Sequence, residues 1–237
     1  MILPSPLLSG RLVRRYKRFF ADVVLEDGRA VTAHCPNTGT MLGVAAPDSE
    51  VWLSVSDNPK RKLPYTWELV RADGALVGIN PLNANRVVGG ALETGAVPGV
   101  NQYGSIRREV RYGEGSRVDF LLSEPGLPDC YVEVKNVHLA RQKGLAEFPD
   151  AVTARGAKHL AELARVKAAG NRALMLFLIQ REDCDRFQVA GDIDPAYGAA
   201  LGTAAALPMA LAAAGGAGAA AASPANAGAT IAALNEA

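Results

Sequence analysis

The sequence predicts an α/β (α+β) protein of two units in series. Residues 1–82 form a small β barrel or sandwich, and residues 83–202 form a domain on a mixed sheet. An Ala/Gly-rich tail at 203–237 is expected to be loosely held. Three observations carry this reading. Short apolar runs divided by turn signals fill the first part. A strand, strand, helix, strand order fills the second. After Asp194 only Glu236 is charged.

Phe20–Leu25, the turn Glu26-Asp27-Gly28-Arg29 and Ala30–His34 read as a hairpin, with Val51–Val55 and Thr66–Val70 as further strands. Tyr65, Trp67 and Leu69 fall on one face by the period-two rule. They fit a stacking platform for bases or, more plainly, a core. Gly78, Asn80, Pro81 and Asn83 interrupt the strand pattern, and a helix is expected over Ala84–Thr94, stopped by Gly95 and Pro98. Arg107–Tyr112, Arg117–Leu122 and Tyr131–Val137 then read as strands. Asp150 or Thr153 caps a helix running to about Ala169, with Gly170 at its end. Ala173–Gln180 is almost wholly apolar, as a buried parallel strand after a crossover helix should be. Within the tail a weak helix is expected around Ala204–Ala213, broken by Gly215, Gly216 and Pro224.

Composition narrows the function classes. Hydrophobic residues make up 49% and charged residues 21% of the 237, which fits a folded globular chain. Cys35, Cys130 and Cys184 lie far apart and form no C-x-x-C pair, so zinc and thiol-exchange readings fall away and reduced thiols in the cytoplasm are expected. The N-terminus sets a proline-broken apolar stretch before its arginines, the reverse of a secretory signal, and no membrane partner is expected. A net charge of +1 favours no nucleic-acid partner by itself, but its distribution does. Arg14, Arg15, Lys17 and Arg18 stand together with Arg11 and no acid among them, and Lys60-Arg61-Lys62 forms a second run. Both are candidate phosphate contacts, with ordinary solvated surface as the alternative.

The chemistry concentrates in Ser116-Arg117-Val118-Asp119 and Tyr131-Val132-Glu133-Val134-Lys135. Charge on apolar strands is costly unless it is paired or bound to an ion. Pro125-Gly126 marks a turn between the two runs. A turn centred there sets Asp119 across from Glu133, and Lys135, two residues on, shares the Glu133 face. Two close carboxylates repel, and a divalent cation bound by Asp119 and Glu133 resolves the repulsion. Magnesium, or manganese in its place, suits such a site because it keeps waters for a substrate. A lysine beside it can orient water or stabilise charge on a phosphate, the equipment of metal-assisted phosphodiester hydrolysis. An exposed Glu–Lys strand pair gives the same spacing, but the flanking Val132, Val134 and Val137 argue for burial.

Taken together, the sequence resembles the sugar fermentation stimulation protein family (SfsA). The resemblance rests on Lys17-Arg18-Phe19-Phe20-Ala21-Asp22-Val23, Ala33-His34-Cys35-Pro36-Asn37-Thr38-Gly39, Leu63-Pro64-Tyr65-Thr66-Trp67-Glu68-Leu69, Val77-Gly78-Ile79-Asn80, the two site strands and Phe148-Pro149-Asp150-Ala151-Val152-Thr153. It implies an OB-like N-terminal barrel, a PD-(D/E)xK nuclease-like domain with Asp119, Glu133 and Lys135 as its signature, sequence-nonspecific DNA binding, and a role in regulating sugar (maltose) metabolism. Two departures stand out. Gly89-Gly90 occupy positions where the family often has acids, leaving Glu93 as the nearest substitute, and the tail lacks the apolar strand expected near the family's C-terminus.

Further residues are placed around the site. Arg155 and His159, four apart, share a helix face and either contact DNA or dock the helix. Gln180, with Arg181 after it, ends the buried strand at the expected rim of the site. His138 is read as a surface histidine, with a phosphate contact as the other option, and His34 and Cys35 as a folding loop. The leading function is thus nonspecific DNA binding with a magnesium-dependent nuclease-type centre. The alternative is a non-enzymatic DNA-binding regulator whose centre is vestigial. Oligomeric state stays open, a homodimer included.

Overall fold

The computed structural model describes residues 6–203 and the strands at 209–213 and 230–233. Its first strands are β1 (Leu8–Tyr16), β2 (Phe20–Leu25), β3 (Ala30–His34), β4 (Glu50–Val55) and β5 (Tyr65–Ala72), in the order β3-β2-β1-β4-β5. Parallel pairing of Ala33 with Tyr65 and His34 with Thr66 closes this ring into a five-stranded barrel, leaving no free edge within it. The turn into β3 uses Gly28 at φ +84, a left-handed conformation that glycine adopts at little cost. β6 (Ala75–Gly78) folds back on β5. Leu12, Val23, Leu53, Trp67 and Val77 fill the interior.

A register shift between Trp52 and Leu53 breaks the simple alternation of β4 against β5. Trp67 enters the barrel core at 0% exposure and donates its Nε1–H to the Leu69 carbonyl, whereas Leu69 joins Trp52 in a separate cluster. The three alternating residues therefore present no common stacking face, and Trp67 is core.

The second unit runs through α1 (Pro81–Glu93), β7 (Ser105–Tyr112), β8 (Ser116–Ser123), β9 (Cys130–Val137), β10 (Leu139–Gln142), β11 (Gly144–Phe148), α2 (Ala154–Ala168), β12 (Arg172–Ile179), β13 (Cys184–Val189), α3 (Pro195–Thr203), β14 (Met209–Ala213) and β15 (Thr230–Ala233). Asn80 caps α1 by accepting from Leu82 N–H at 3.0 Å, with Pro81 at the first helical position, so the helix starts earlier than its apolar period suggests. Thr153 caps α2 on Gly156 N–H, and Gly170 at φ +88 follows its end, as expected.

The main sheet has the order β15-β14-β12-β9-β8-β7, with β9 and β12 parallel along their whole length. α1 covers one face, packing Val87, Val88 and Leu92 on Phe120, Val132, Leu174 and Leu176. α2 and α3 cover the other, where Leu160, Leu163 and Tyr197 meet Val137, Met175 and Phe177. A strand buried on both faces must be apolar at every position, which explains the composition of β12. A small second sheet has the order β10-β11-β13.

Two tail expectations change. Residues 209–213 form a strand rather than part of a weak helix, because β12 offers an open parallel edge that they pair with from Met175 to Ile179. β14 thus supplies an apolar strand in the tail, where the sequence reading expects none. Residues 230–233 pair with it as β15, and the tail positions 204–208, 214–229 and 234–237 lie outside the described residues. α3 was not anticipated, although Asp194-Pro195 signals it: the Asp194 carboxylate accepts from Tyr197 N–H at 2.9 Å and Thr153 N–H at 2.7 Å.

Candidate active site

The site is made where β7 and β8 turn over. In β8, Phe120 and Leu122 face α1 and Leu121 faces α2, but Val118 falls on the Leu121 side, so the alternation reverses at Asp119. β7 reverses opposite it. Ile106 lies toward α1, Val110 and Tyr112 lie toward α2, and Glu109 between them has φ +53. Positive φ in a non-glycine strand residue is rare and strained, and such residues gather at functional sites. The β8–β9 ladder pairs Phe120 with Val132 and stops there, which brings Asp119 beside Glu133 as the turn count anticipated. Asp119 Oδ2 instead accepts from Val134 N–H at 2.7 Å, and Oδ1 accepts from Asn85 of α1 at 2.8 Å.

Glu133 reaches toward α2. Its Oε1 accepts from Lys135 Nζ at 2.7 Å and is hydrogen-bonded to His159 Nδ1. One turn earlier, Arg155 Nε donates to His159 Nε2 at 3.3 Å, which leaves Nδ1 as the nitrogen that carries a proton toward Glu133. Glu133 is 3% exposed, and its Oε2 has no hydrogen-bond partner.

The two carboxylates feel opposite environments. Burial, then the Glu133 charge, pushes Asp119 up to about 6. Burial also pushes Glu133 upward, but the His159 and Lys135 contacts outweigh it and hold Glu133 below the ordinary range. Hence Glu133 stays ionised with one oxygen unused, next to an Asp119 for which burial and the Glu133 charge outweigh the nearby Lys135 charge. This donor set fits an oxygen-seeking divalent ion that brings its own waters. Among the described residues no cluster of three His, Cys, Asp or Glu has metal-binding geometry, and an ion here would rest on the two carboxylates and water. Buried polar groups continue behind it. The Tyr112 hydroxyl and both Glu162 oxygens lack hydrogen-bond partners, and burial together with the Glu133, Glu162 and Asp119 charges raises the Tyr112 pKa.

Asp119, Glu133, Lys135, His159 and Arg155 thus come together. Asn85 joins them and sequence reasoning missed it, although it lies one turn before Gly89 on the helix that faces the sheet. Glu93 does not join. It is exposed and paired with Arg108 at 2.9 Å, and the Arg108 guanidinium fills the space where a Gly89 side chain would stand. Gln180 donates to Asn136, the residue after Lys135, at 2.5 Å. His138 is a correction: it is 4% exposed, with Nε2 3.3 Å from Asp150 Oδ2, because β9 carries it inward beneath the Asp150 loop.

The basic clusters divide. Arg14 pairs with Asp22 at 2.8 Å, and Arg15 is spent on the carbonyls of Arg18, Asn37, Gly39 and Thr40. Arg61 donates to Thr66 Oγ1 at 2.9 Å and lines a cleft of about 250 Å³ with His34, Ser54, Glu68 and Arg86. Lys17, Arg18, Lys60 and Lys62 are exposed.

A family model of the SfsA N-terminal OB domain matches residues 13–79, and one of the sugar fermentation stimulation protein RE domain matches residues 82–215. Relatives called sugar fermentation stimulation protein homolog are closely similar. That of Rhodospirillum centenum is 61% identical over 204 residues, 86% of this chain and 88% of the relative. That of Maricaulis maris is 57% identical over 206 residues, 87% and 88% of the two chains. Pyrococcus furiosus SfsA, solved in complex with Ca2+, superposes with a TM-score of 0.82 at 24% identity over 90% of each chain, a likeness of fold. With a barrel matching one family domain, a mixed-sheet unit matching the other, and relatives of this identity across nearly the whole chain, the protein belongs to the sugar fermentation stimulation protein (SfsA) family.

Proposed function

We propose that this protein binds DNA without regard to sequence and holds a divalent cation, magnesium or manganese, at a nuclease-type centre of Asp119, Glu133 and Lys135. The observation that carries the proposal is the unpartnered Glu133 Oε2, buried beside an Asp119 whose charge Lys135 compensates only in part. Leaving such an oxygen unused costs stability unless something binds it. That Pyrococcus furiosus SfsA was solved as a Ca2+ complex supports the reading, since Ca2+ and Mg2+ both take oxygen ligands.

Asp119 and Glu133 would hold the ion, which would polarise a phosphodiester and acidify a water. The chain's own groups do the rest. Val134 N–H and Asn85 fix the Asp119 carboxylate in rotation, and His159, braced by Arg155, fixes Glu133. Lys135, held at Glu133 Oε1 and 13% exposed, presents positive charge where a phosphate oxygen gains negative charge. The relatives' name, sugar fermentation stimulation protein homolog, supports a part in sugar metabolism for this activity, that of maltose as the sequence resemblance implies. Three buried free cysteines, Cys35, Cys130 and Cys184, fit a cytoplasmic setting.

A second reading, a regulator with a vestigial centre, draws on two observations. Lys135 and His159 already compensate Glu133, and Arg108 fills the space over Gly89. Incubating the protein with supercoiled plasmid separates the two. The proposal expects nicking that requires magnesium or manganese and is lost in Lys135→Ala, by at least about a hundredfold. Binding that persists with no cleavage of any DNA form supports the regulator.

A further inference from the structure

The turn between β1 and β2 is built from residues that do not suit it. Lys17 has φ +49 and Arg18 φ +65, so both lie in the left-handed region. This conformation suits Gly or Asn, because other side chains crowd the following carbonyl. The strain is nevertheless held firmly. Arg15 reaches under the tip and donates to the carbonyls of Arg18 at 3.2 Å, Asn37 at 2.9 Å and Gly39 at 2.8 Å. Cys35 N–H donates to the Phe19 carbonyl at 2.7 Å. The loop thus gripped is tied in turn to the second unit, through Thr40 Oγ1 to the Asp150 carbonyl at 2.6 Å and Met41 N–H to the Asp150 carboxylate at 3.0 Å.

What this rigid tip displays has no role in the fold. Phe19 is 48% exposed, while the next residue, Phe20, is stacked against Tyr16 at 5.3 Å. Among the described residues, the side chains of Lys17 and Arg18 have no hydrogen-bond or ion-pair partner, unlike Arg14 and Arg15 beside them. An apolar ring kept in water next to two unpaired cations, on a backbone that costs stability, calls for a ligand that repays each of these features.

We infer that the Lys17-Arg18-Phe19 tip is a stacking finger for single-stranded nucleic acid, with Phe19 against a base face and the two cations on the flanking phosphates. A duplex hides its base faces, whereas an unpaired strand offers a π-face and phosphates together, and aromatic stacking is indifferent to sequence. The inference rests on the DNA-binding reading above and deepens it: the basic N-terminal cluster acts through its tip, and it selects the single-stranded form.

The test uses the full chain and fluorescence anisotropy with a dye-labelled mixed-sequence single strand and the duplex made from it. Phe19→Ala should weaken single-strand binding about tenfold and leave duplex binding unchanged, and Phe19→Trp should restore it. The double change Lys17→Asn with Arg18→Gly should relieve the turn and raise the melting temperature by roughly 5 °C. The same variant should weaken binding and flatten its salt dependence by about two counterions. Single-strand binding indifferent to Phe19→Ala overturns this inference and leaves the DNA-binding reading intact. A wild-type chain that binds neither DNA form overturns both. Phe19-dependent binding to anionic lipid vesicles, with single-strand binding unaffected, assigns the tip to a membrane surface instead.

Discussion

Asp119 receives hydrogen bonds from a backbone amide and an asparagine, while the lysine and histidine of the site converge on Glu133. The asymmetry has a pH consequence. Asp119 rises from 3.8 to about 6 on folding, so the folded chain takes up a proton between those values. Stability then falls as pH climbs through that window and stays lower above it. In the absence of divalent cations, Asp119→Asn should therefore be more stable than the wild type at pH 8, by on the order of 2 kcal/mol, and about equal to it at pH 4. Urea unfolding at the two pH values measures this; a variant less stable at pH 8 would mean that the lost charge-assisted bonds outweigh burial. The sequence displayed Asp119, Glu133 and Lys135 because charge on an apolar strand is conspicuous. It did not display Asn85, a polar residue on a helix where polar residues are ordinary, nor the burial of His138, which depends on Asp150 of a separate loop.

Elements announced by local chemistry were legible. Asp27-Gly28 fixed the β2–β3 hairpin, Pro125-Gly126 fixed the β8–β9 register, and Thr153 with Gly170 bounded α2. Elements decided by a distant partner were not. The Ala-rich run at 209–213 suits a helix by propensity, but the open edge of β12 makes it a strand. β10, β11 and β13 are short and carry mixed residues, and Arg141 joins two of their surroundings by pairing with buried Glu147 at 2.6 Å and with Asp192. The reversal at Glu109 and Asp119 left no mark in the residue pattern, because both strands keep their length through it. The β14 pairing carries a prediction: removing residues 204–237 bares the outer edge of a central strand that is apolar from Ala173 to Ile179. The truncated chain should melt roughly 5 °C lower and scatter light on heating, and an unchanged melting curve would show that the edge needs no cover.

At the scale of the molecule, the barrel and the mixed-sheet unit meet through backbone as well as side chains. Gly78 N–H donates to the Gln180 carbonyl at 2.8 Å, Val77 bridges to Arg181, and Leu76 N–H donates to Glu182 at 2.8 Å. Gln180, expected at the rim of the site, therefore also joins the two units, with its side chain on Asn136. The Lys17–Phe19 tip and the Asp119–Glu133 centre are linked by the Thr40–Asp150 and Gly78–Gln180 contacts, an arrangement the proposed function would use. That account depends most on the cation. Thermal unfolding of the full chain, followed by calorimetry across micromolar to millimolar magnesium and manganese, tests it directly. Binding at Asp119 and Glu133 should raise the wild-type melting temperature progressively with concentration and leave Asp119→Asn unmoved. A wild-type transition that stays flat in both metals would contradict it, leaving Lys135 and His159 as the full compensation of Glu133.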